Sequence, residues 1–125
     1  MGKFVTLTAN RIHPSQDYLN EKTIEYILSC FRDDDLDSLP PPPIVRKADK
    51  KDEYIAIDGH NLIAVCDFLG IACRVYIADN RDDGLPENHD PKIKQRNIDL
   101  HDKFSIRRSS LTFRQLQQKY PTLTE

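Results

Sequence analysis

The groups most suited to chemistry stand together in one short run, Asp58-Gly59-His60-Asn61. A carboxylate, a glycine, an imidazole and a carboxamide here separate Tyr54-Ile55-Ala56-Ile57 from a segment carrying Leu62, Ile63, Val65, Cys66 and Leu69. The first segment reads as a short strand and the second has helical spacing. A strand that turns sharply into a helix aims unpaired backbone N–H groups and the positive end of the helix dipole at one point, which suits a phosphate. Gly59 would let a ligand approach the backbone, and the N–H groups of Gly59, His60 and Asn61 would line the turn, with His60 and Asn61 at its mouth. The alternative is a plain capped turn in which Asp58 is the helix N-cap.

Other reactive residue types are less organised. Asp33, Asp34, Asp35 and Asp37 could attract Mg²⁺ or Ca²⁺, but they lack the glycine and closing glutamate of a calcium loop and read as a solvated acidic stretch. His13, His89 and His101 have no ligand-like spacing, and no metal site is expected. Cys30, Cys66 and Cys73 cannot all pair and form no CxxC motif, which points to a reducing, cytoplasmic setting, with Cys66 and Cys73 in the core. Lys92, Lys94, Arg96, Arg107, Arg108, Arg114 and Lys119 could meet nucleic-acid phosphates across residues 92–119. No helix-turn-helix pattern or aromatic platform accompanies them, so a solvated face is the alternative.

The elements that would position these groups follow from local patterning. Phe4-Val5-Thr6-Leu7-Thr8 alternates with period two and is predicted to be a strand. Arg11 to Gln16 reads as a loop, with Pro14 steering His13 away from helical geometry. Asn20 is a good N-cap for a helix whose apolar side carries Ile24, Ile27, Leu28 and Phe31. The run Pro40 to Pro43 reads as a stiff connector, the alternative being a ligand for a proline-recognition domain. Ile44–Lys47 and Tyr54–Ile57 are predicted to form a hairpin across Ala48 to Glu53. Gly70 closes the second helix and Ala72–Ile77 is a further strand. The expected order is strand, helix, strand, strand, helix, strand. Beyond it, 92–103 is predicted to be helical, and Thr112 with Gln115 forms a capping-box pattern ahead of Leu116 and Tyr120.

Length and charge agree with one small domain and an extension. The chain has 125 residues, 38% hydrophobic and 30% charged, with a net charge of −2. Residues 1–80 hold 9 basic and 13 acidic side chains, whereas residues 81–125 hold 9 and 7, and the turn-rich stretch 80–86 separates them. We therefore take 1–80 as the module and 81–125 as a helical extension, packed on the module or used for homodimerisation. No apolar run approaches the roughly 20 residues of a membrane span, so no membrane association is expected. The near-neutral balance excludes nucleic-acid binding by bulk charge alone.

The order of motifs resembles the ParB/sulfiredoxin superfamily over roughly residues 3–80. Arg11-Ile12-His13-Pro14-Ser15, then Asn20-Glu21-Lys22 opening a helix, then Asp37-Ser38-Leu39-Pro40 leading through prolines to Ile44-Val45-Arg46-Lys47, is similar to the sulfiredoxin layout. Tyr54 to Val65 resembles the family's Asp-Gly-His-x-Arg segment. The resemblance implies a small α+β module with a mixed sheet that binds nucleotide phosphates between its first helix and the glycine turn. On that basis Lys22 and Ser29 fall on phosphate-contacting positions, Gly59 matches the turn glycine, and Asp17 is the carboxylate nearest the loop where kinase members place a catalytic one. Four positions depart from the pattern, one of them Asn61, which stands where sulfiredoxins carry a histidine. His60 stands where sulfiredoxins carry their reactive cysteine, which removes the nucleophile for sulfinic-acid reduction. Leu62 replaces the phosphate-clamping arginine, and Glu25 replaces a serine.

Three functional expectations follow. The first is a nucleotide-phosphate-binding module with phosphohydrolase or phosphotransferase chemistry. It would take ATP, ADP or CTP with Mg²⁺, bind through Lys22, Ser29, Gly59, His60 and Asn61, and use Asp17, Asp58 and His60 as catalytic groups. The second is a DNA-associated ParB-like binding or nuclease module. The third is a non-catalytic descendant used for protein contact.

Overall fold

A computed structural model describes residues 2–48, 50–78, 91, 92, 95 and 109–123. Its elements are β1 (Lys3–Leu7), β2 (Ile12–His13), α1 (Glu21–Arg32), β3 (Ile44–Lys47), β4 (Tyr54–Asp58), α2 (His60–Leu69), β5 (Cys73–Ile77) and α3 (Phe113–Gln117). The five strands form one mixed sheet in the order β1-β5-β3-β4-β2, so the fold is α+β as expected. β5 is antiparallel to β1 and parallel to β3, β3 is antiparallel to β4, and β2 runs parallel to β4.

Strand β2 corrects the expected loop over Arg11 to Gln16. Two residues carry no readable period, but Ile12 and His13 align with Tyr54 and Ile55 along the edge of β4. Tertiary pairing thus makes a strand where local pattern could not. A 3₁₀ turn, Ala9–Arg11, turns the chain from β1 into it.

The pleat sorts the sheet residues between two faces. Val45, Ala56, Val75 and Ile77 face the main core with Ile24 and Ile27 of α1 and Ile63 and Val65 of α2. Ile44, Ile57 and Ala78 form a second buried cluster, with Ile55 and Tyr76 against it. Helix α1 begins as its sequence requires, the Asn20 side chain accepting from the Thr23 N–H at 3.0 Å. Helix α2 ends at Gly70, whose φ of 72° only glycine adopts freely, and the Ile71 N–H returns to the Cys66 carbonyl at 2.9 Å.

The described C-terminal residues complete the main core. Phe113, Leu116 and Leu123 belong to the same buried cluster as α1 and α2, with Leu116 fully buried. The expected capping box is present, Thr112 and Gln115 exchanging side chain to backbone hydrogen bonds. Of the helix expected over 92–103, Lys92 and Gln95 have helical backbone, and the rest lies outside the described residues. Among the described residues no helix is long and apolar enough to cross a membrane.

Candidate functional site

The β4–α2 turn is tight, and its shape is set by a neighbouring proline. Gly59 has φ 85°, and a Cβ there would lie 2.6 Å from the Pro43 Cβ. The close approach expected from a ligand is therefore made by Pro43. The end of the proline run is part of the sheet architecture, since the Pro43 carbonyl accepts from the Tyr76 N–H at 2.8 Å. Nothing in the one-dimensional spacing of Pro43 and Gly59 signals this contact.

The capping role considered for Asp58 is corrected. Asp58 is the last residue of β4, in register with Ile44, and so is committed to the sheet. Gly59 holds the cap position of α2, which has no side-chain cap hydrogen bond. Gly59, having no side chain, brings no capping group of its own to the first turn of α2.

His60 does not sit at the mouth of the turn. It is only 2% exposed. As the first residue of α2 it points under the helix, with its ring centroid 5.7 Å from that of Phe113. Its Nε2 accepts from the Ser15 backbone N–H at 3.0 Å, and the Ser15 hydroxyl donates to the Ala56 carbonyl at 2.7 Å. A backbone N–H can only donate, so Nε2 is unprotonated and a neutral ring carries its hydrogen on Nδ1. The imidazole is a core acceptor that joins the loop before α1 to the start of α2.

Asn61 is partly exposed and bridges the two helix starts. Its Oδ1 accepts from the Asn20 N–H at 2.7 Å, while the Asn20 side chain caps α1. One carboxamide thereby sets the N-termini of α1 and α2 side by side. Lys22, exposed in the first turn of α1, lies at this junction. Ser29 does not converge on it. It sits seven residues further along, about 10 Å down the axis at 1.5 Å per residue, and its hydroxyl donates to the Tyr26 carbonyl at 2.6 Å. Glu25 is exposed on α1.

Asp17 organises the loop ahead of α1. Its carboxylate accepts from the Ser109 hydroxyl, and its carbonyl accepts from Lys119 Nζ at 3.1 Å. The Ser109 N–H donates to the Pro14 carbonyl at 2.7 Å, and the Tyr120 hydroxyl accepts from the Leu19 N–H. The C-terminal residues therefore hold the whole segment 14–19 in place.

Sequence reasoning missed one polar cluster. Asp67, beyond the apolar run Leu62–Cys66 of α2, accepts from Arg114 Nε at 2.9 Å and from Gln117 Nε2 at 2.6 Å. The Arg114 hydrogen bond holds the Asp67 carboxyl below the usual carboxylate range, Gln117 adding to it and partial burial opposing it. A lone aspartate on a buried helix was the available signal, because such a group needs a partner.

Of the basic residues over 92–119, Arg114 is thus paired with Asp67 and Lys119 with the Asp17 carbonyl. Lys94, Arg96, Arg107 and Arg108 lie outside the described residues. Among the described residues no group of three or more His, Cys, Asp or Glu side chains could hold a metal ion.

No family model matches this sequence, and no curated protein matches it. The arrangement of the two helix starts must therefore be read on its own physics.

Proposed function

We propose that the chain binds a phosphate-bearing ligand, with a nucleotide such as ATP, ADP or CTP as the expected form, at the junction of the α1 and α2 N-termini. The observation that carries this reading is the 2.7 Å hydrogen bond from the Asn20 N–H to Asn61 Oδ1, which sets two helix starts together. Each start contributes a partial positive charge; at α1 the Asn20 side chain takes the Thr23 N–H and Glu21 stands in the first turn, whereas the N-cap of α2 is Gly59, and Lys22 adds a full positive charge in the first turn of α1. The resemblance to the ParB/sulfiredoxin superfamily supports the same place. Mg²⁺ would arrive with the phosphates.

Binding is better supported than catalysis. His60 is buried with Nε2 engaged by Ser15, and the Asp17 carboxylate is engaged by Ser109. General acid–base chemistry needs a group within hydrogen-bond reach of the reacting proton, and the buried His60 ring is not offered to one; Asp17 is exposed, with one carboxylate oxygen accepting from Ser109. We therefore read the module as a binder.

A thermal-shift series tests this. ATP, ADP and CTP, each with and without Mg²⁺ at millimolar concentration, are expected to include one ligand that raises Tm by about 3–6 °C at ten times its Kd. Lys22→Ala should abolish the rise without changing the Tm of the free protein. Absence of any shift across the series overturns the reading.

Protein contact is the second reading. It is supported by two exposed large hydrophobic side chains, Tyr26 at 50% and Leu36 at 53%, the Tyr26 hydroxyl donating to the Ser38 carbonyl two residues beyond Leu36. Under it, Tyr26→Ser would weaken partner capture while Lys22→Ala would not.

A further inference from the structure

A cavity of about 300 Å³ opens beside the C-terminal ends of α1 and α2. Its walls include Phe31 of α1, Leu62 of α2, Ile71 from the reversal after α2, and Leu39 and Pro42 from the segment between α1 and β3. Leu36 and Ile71, at 53% and 43% exposure, carry the apolar wall out to solvent. Tyr26, half-exposed on α1, meets the same segment, its hydroxyl donating at 2.7 Å to the carbonyl of Ser38, the residue before Leu39. Large apolar side chains left exposed around one opening mark an interaction site.

The chain beside this opening is acidic. Asp33, Asp34, Asp35 and Asp37 are all exposed and stand between Phe31 and Leu39, which both line the cavity. The backbone fixes their loop. The Asp33 and Asp34 N–H groups return to the Ser29 and Phe31 carbonyls, and Asp34 is left-handed with φ 53°. Asp33 is paired with Arg32 at 3.4 Å, and Asp35 accepts from the Ser38 hydroxyl at 2.6 Å. Asp34 and Asp37 have no ion-pair partner among the described residues. The cation in the cavity lining, Arg74, holds its guanidinium over the Phe4 ring, 4.6 Å from the centroid. These carboxylates outnumber Arg32 and Arg74, so the charge at the opening is negative.

We propose that this cavity docks a peptide segment of a partner protein in which large apolar side chains are flanked by lysine or arginine. The proposal rests on the protein-contact reading and names the partner's chemistry. An apolar side chain buried in the cavity acts as the anchor, as filled pockets do at the centre of interfaces. The flanking cations meet Asp34 and Asp37, which speeds encounter and rejects acidic segments. Tyr26 lies outside the cavity lining and extends the apolar contact beyond it, which suits a chain better than a small ligand.

Fluorescein-labelled peptides KKLLKK, EELLEE and KKNNKK test this, each titrated with the full chain at low salt and read by fluorescence anisotropy. KKLLKK is expected to bind at least about tenfold more tightly than either of the others. Ala72 is exposed and lines the cavity, so Ala72→Leu fills the space without removing a core contact and should abolish KKLLKK binding with Tm unchanged. Asp34→Asn, an exchange that positive φ tolerates, combined with Asp37→Asn should weaken KKLLKK about tenfold. The proposal is overturned if EELLEE or KKNNKK binds as tightly as KKLLKK, or if KKLLKK fails to bind at millimolar protein. Self-association in sedimentation runs that Ala72→Leu removes would assign the cavity to a second copy of the chain, and would also overturn it. The comparison of peptides on the wild-type chain decides the matter even if a variant fails to fold. Failure of KKLLKK leaves the wider protein-contact reading to its own test, the effect of Tyr26→Ser on partner capture.

Discussion

The backbone N–H of Ser15 donates to Nε2 of His60 at 3.0 Å, across 45 positions of sequence. This bond ties the loop that launches α1 to the residue that launches α2. A few residues away, the Asn20 N–H donates to Asn61 Oδ1. Two consecutive side chains at the start of α2 thus receive two backbone donors from the segment leading into α1. The orientation of the helix starts rests on this pair of contacts, and so does the electrostatic field at their junction.

Replacement of His60 should destabilise the fold. His60→Ala removes the acceptor of a part-buried N–H and opens space beside Phe113, and the expected cost is about 2–4 kcal/mol. A urea titration should show a lower midpoint. His60→Gln, which can place an acceptor near the Nε2 position, should recover part of the loss. A variant of wild-type stability that has lost an activity would instead assign His60 to catalysis.

The two left-handed glycines should respond unequally to alanine. At Gly70 an added Cβ meets open space, so Gly70→Ala carries only the backbone penalty, about 1–2 kcal/mol. At Gly59 the same methyl would meet Pro43 at 2.6 Å in addition to the positive φ. Gly59→Ala should therefore cost clearly more than Gly70→Ala, by thermal melts run side by side. Equal costs would exclude the Pro43 contact.

The Asp67 cluster predicts a pH dependence of definite sign. The carboxyl is held below its usual range in the folded state. Its stabilisation is complete above the unfolded pKa, about 3.9, and fades as pH falls through the lower folded value. Asp67→Asn should be less stable than wild type by about 1–2 kcal/mol at pH 7, with the difference shrinking in acid. Arg114 is largely exposed, which keeps the figure at the low end for a charged hydrogen bond. Denaturation curves at pH 7 and near pH 3 make the comparison.

A chain ending at residue 108 should not fold cooperatively. It would lack Phe113, Leu116 and Leu123 of the main core and the Ser109, Lys119 and Tyr120 contacts to segment 14–19. Circular dichroism is expected to show weakened helix signal and a broad melt. A sharp melt near the full-length Tm would make residues 109–123 dispensable.

Much of the fold was legible because its signals are local. Asn20 with Ile24 and Ile27 announced α1, Gly70 announced the end of α2, and Thr112 with Gln115 announced α3. The site was less legible because its geometry depends on residues remote in sequence. An imidazole beside a glycine turn reads the same whether it faces solvent or Ser15 and Phe113. Gly59 reads the same whether a phosphate or Pro43 approaches it. The two-residue strand β2 exists only through β4, and the Asp67–Arg114 pair spans 47 positions that no periodicity links.

The burial of Leu123 also bears on how the chain is made. Synthesis delivers the strands and both longer helices first, yet the core they share stays open until the segment holding Phe113, Leu116 and Leu123 has left the ribosome. During that interval α1 and α2 expose apolar surface that nothing else in the core covers, and nascent chains in this state are prone to aggregate. The segment 113–123 thus sets the moment at which this core closes.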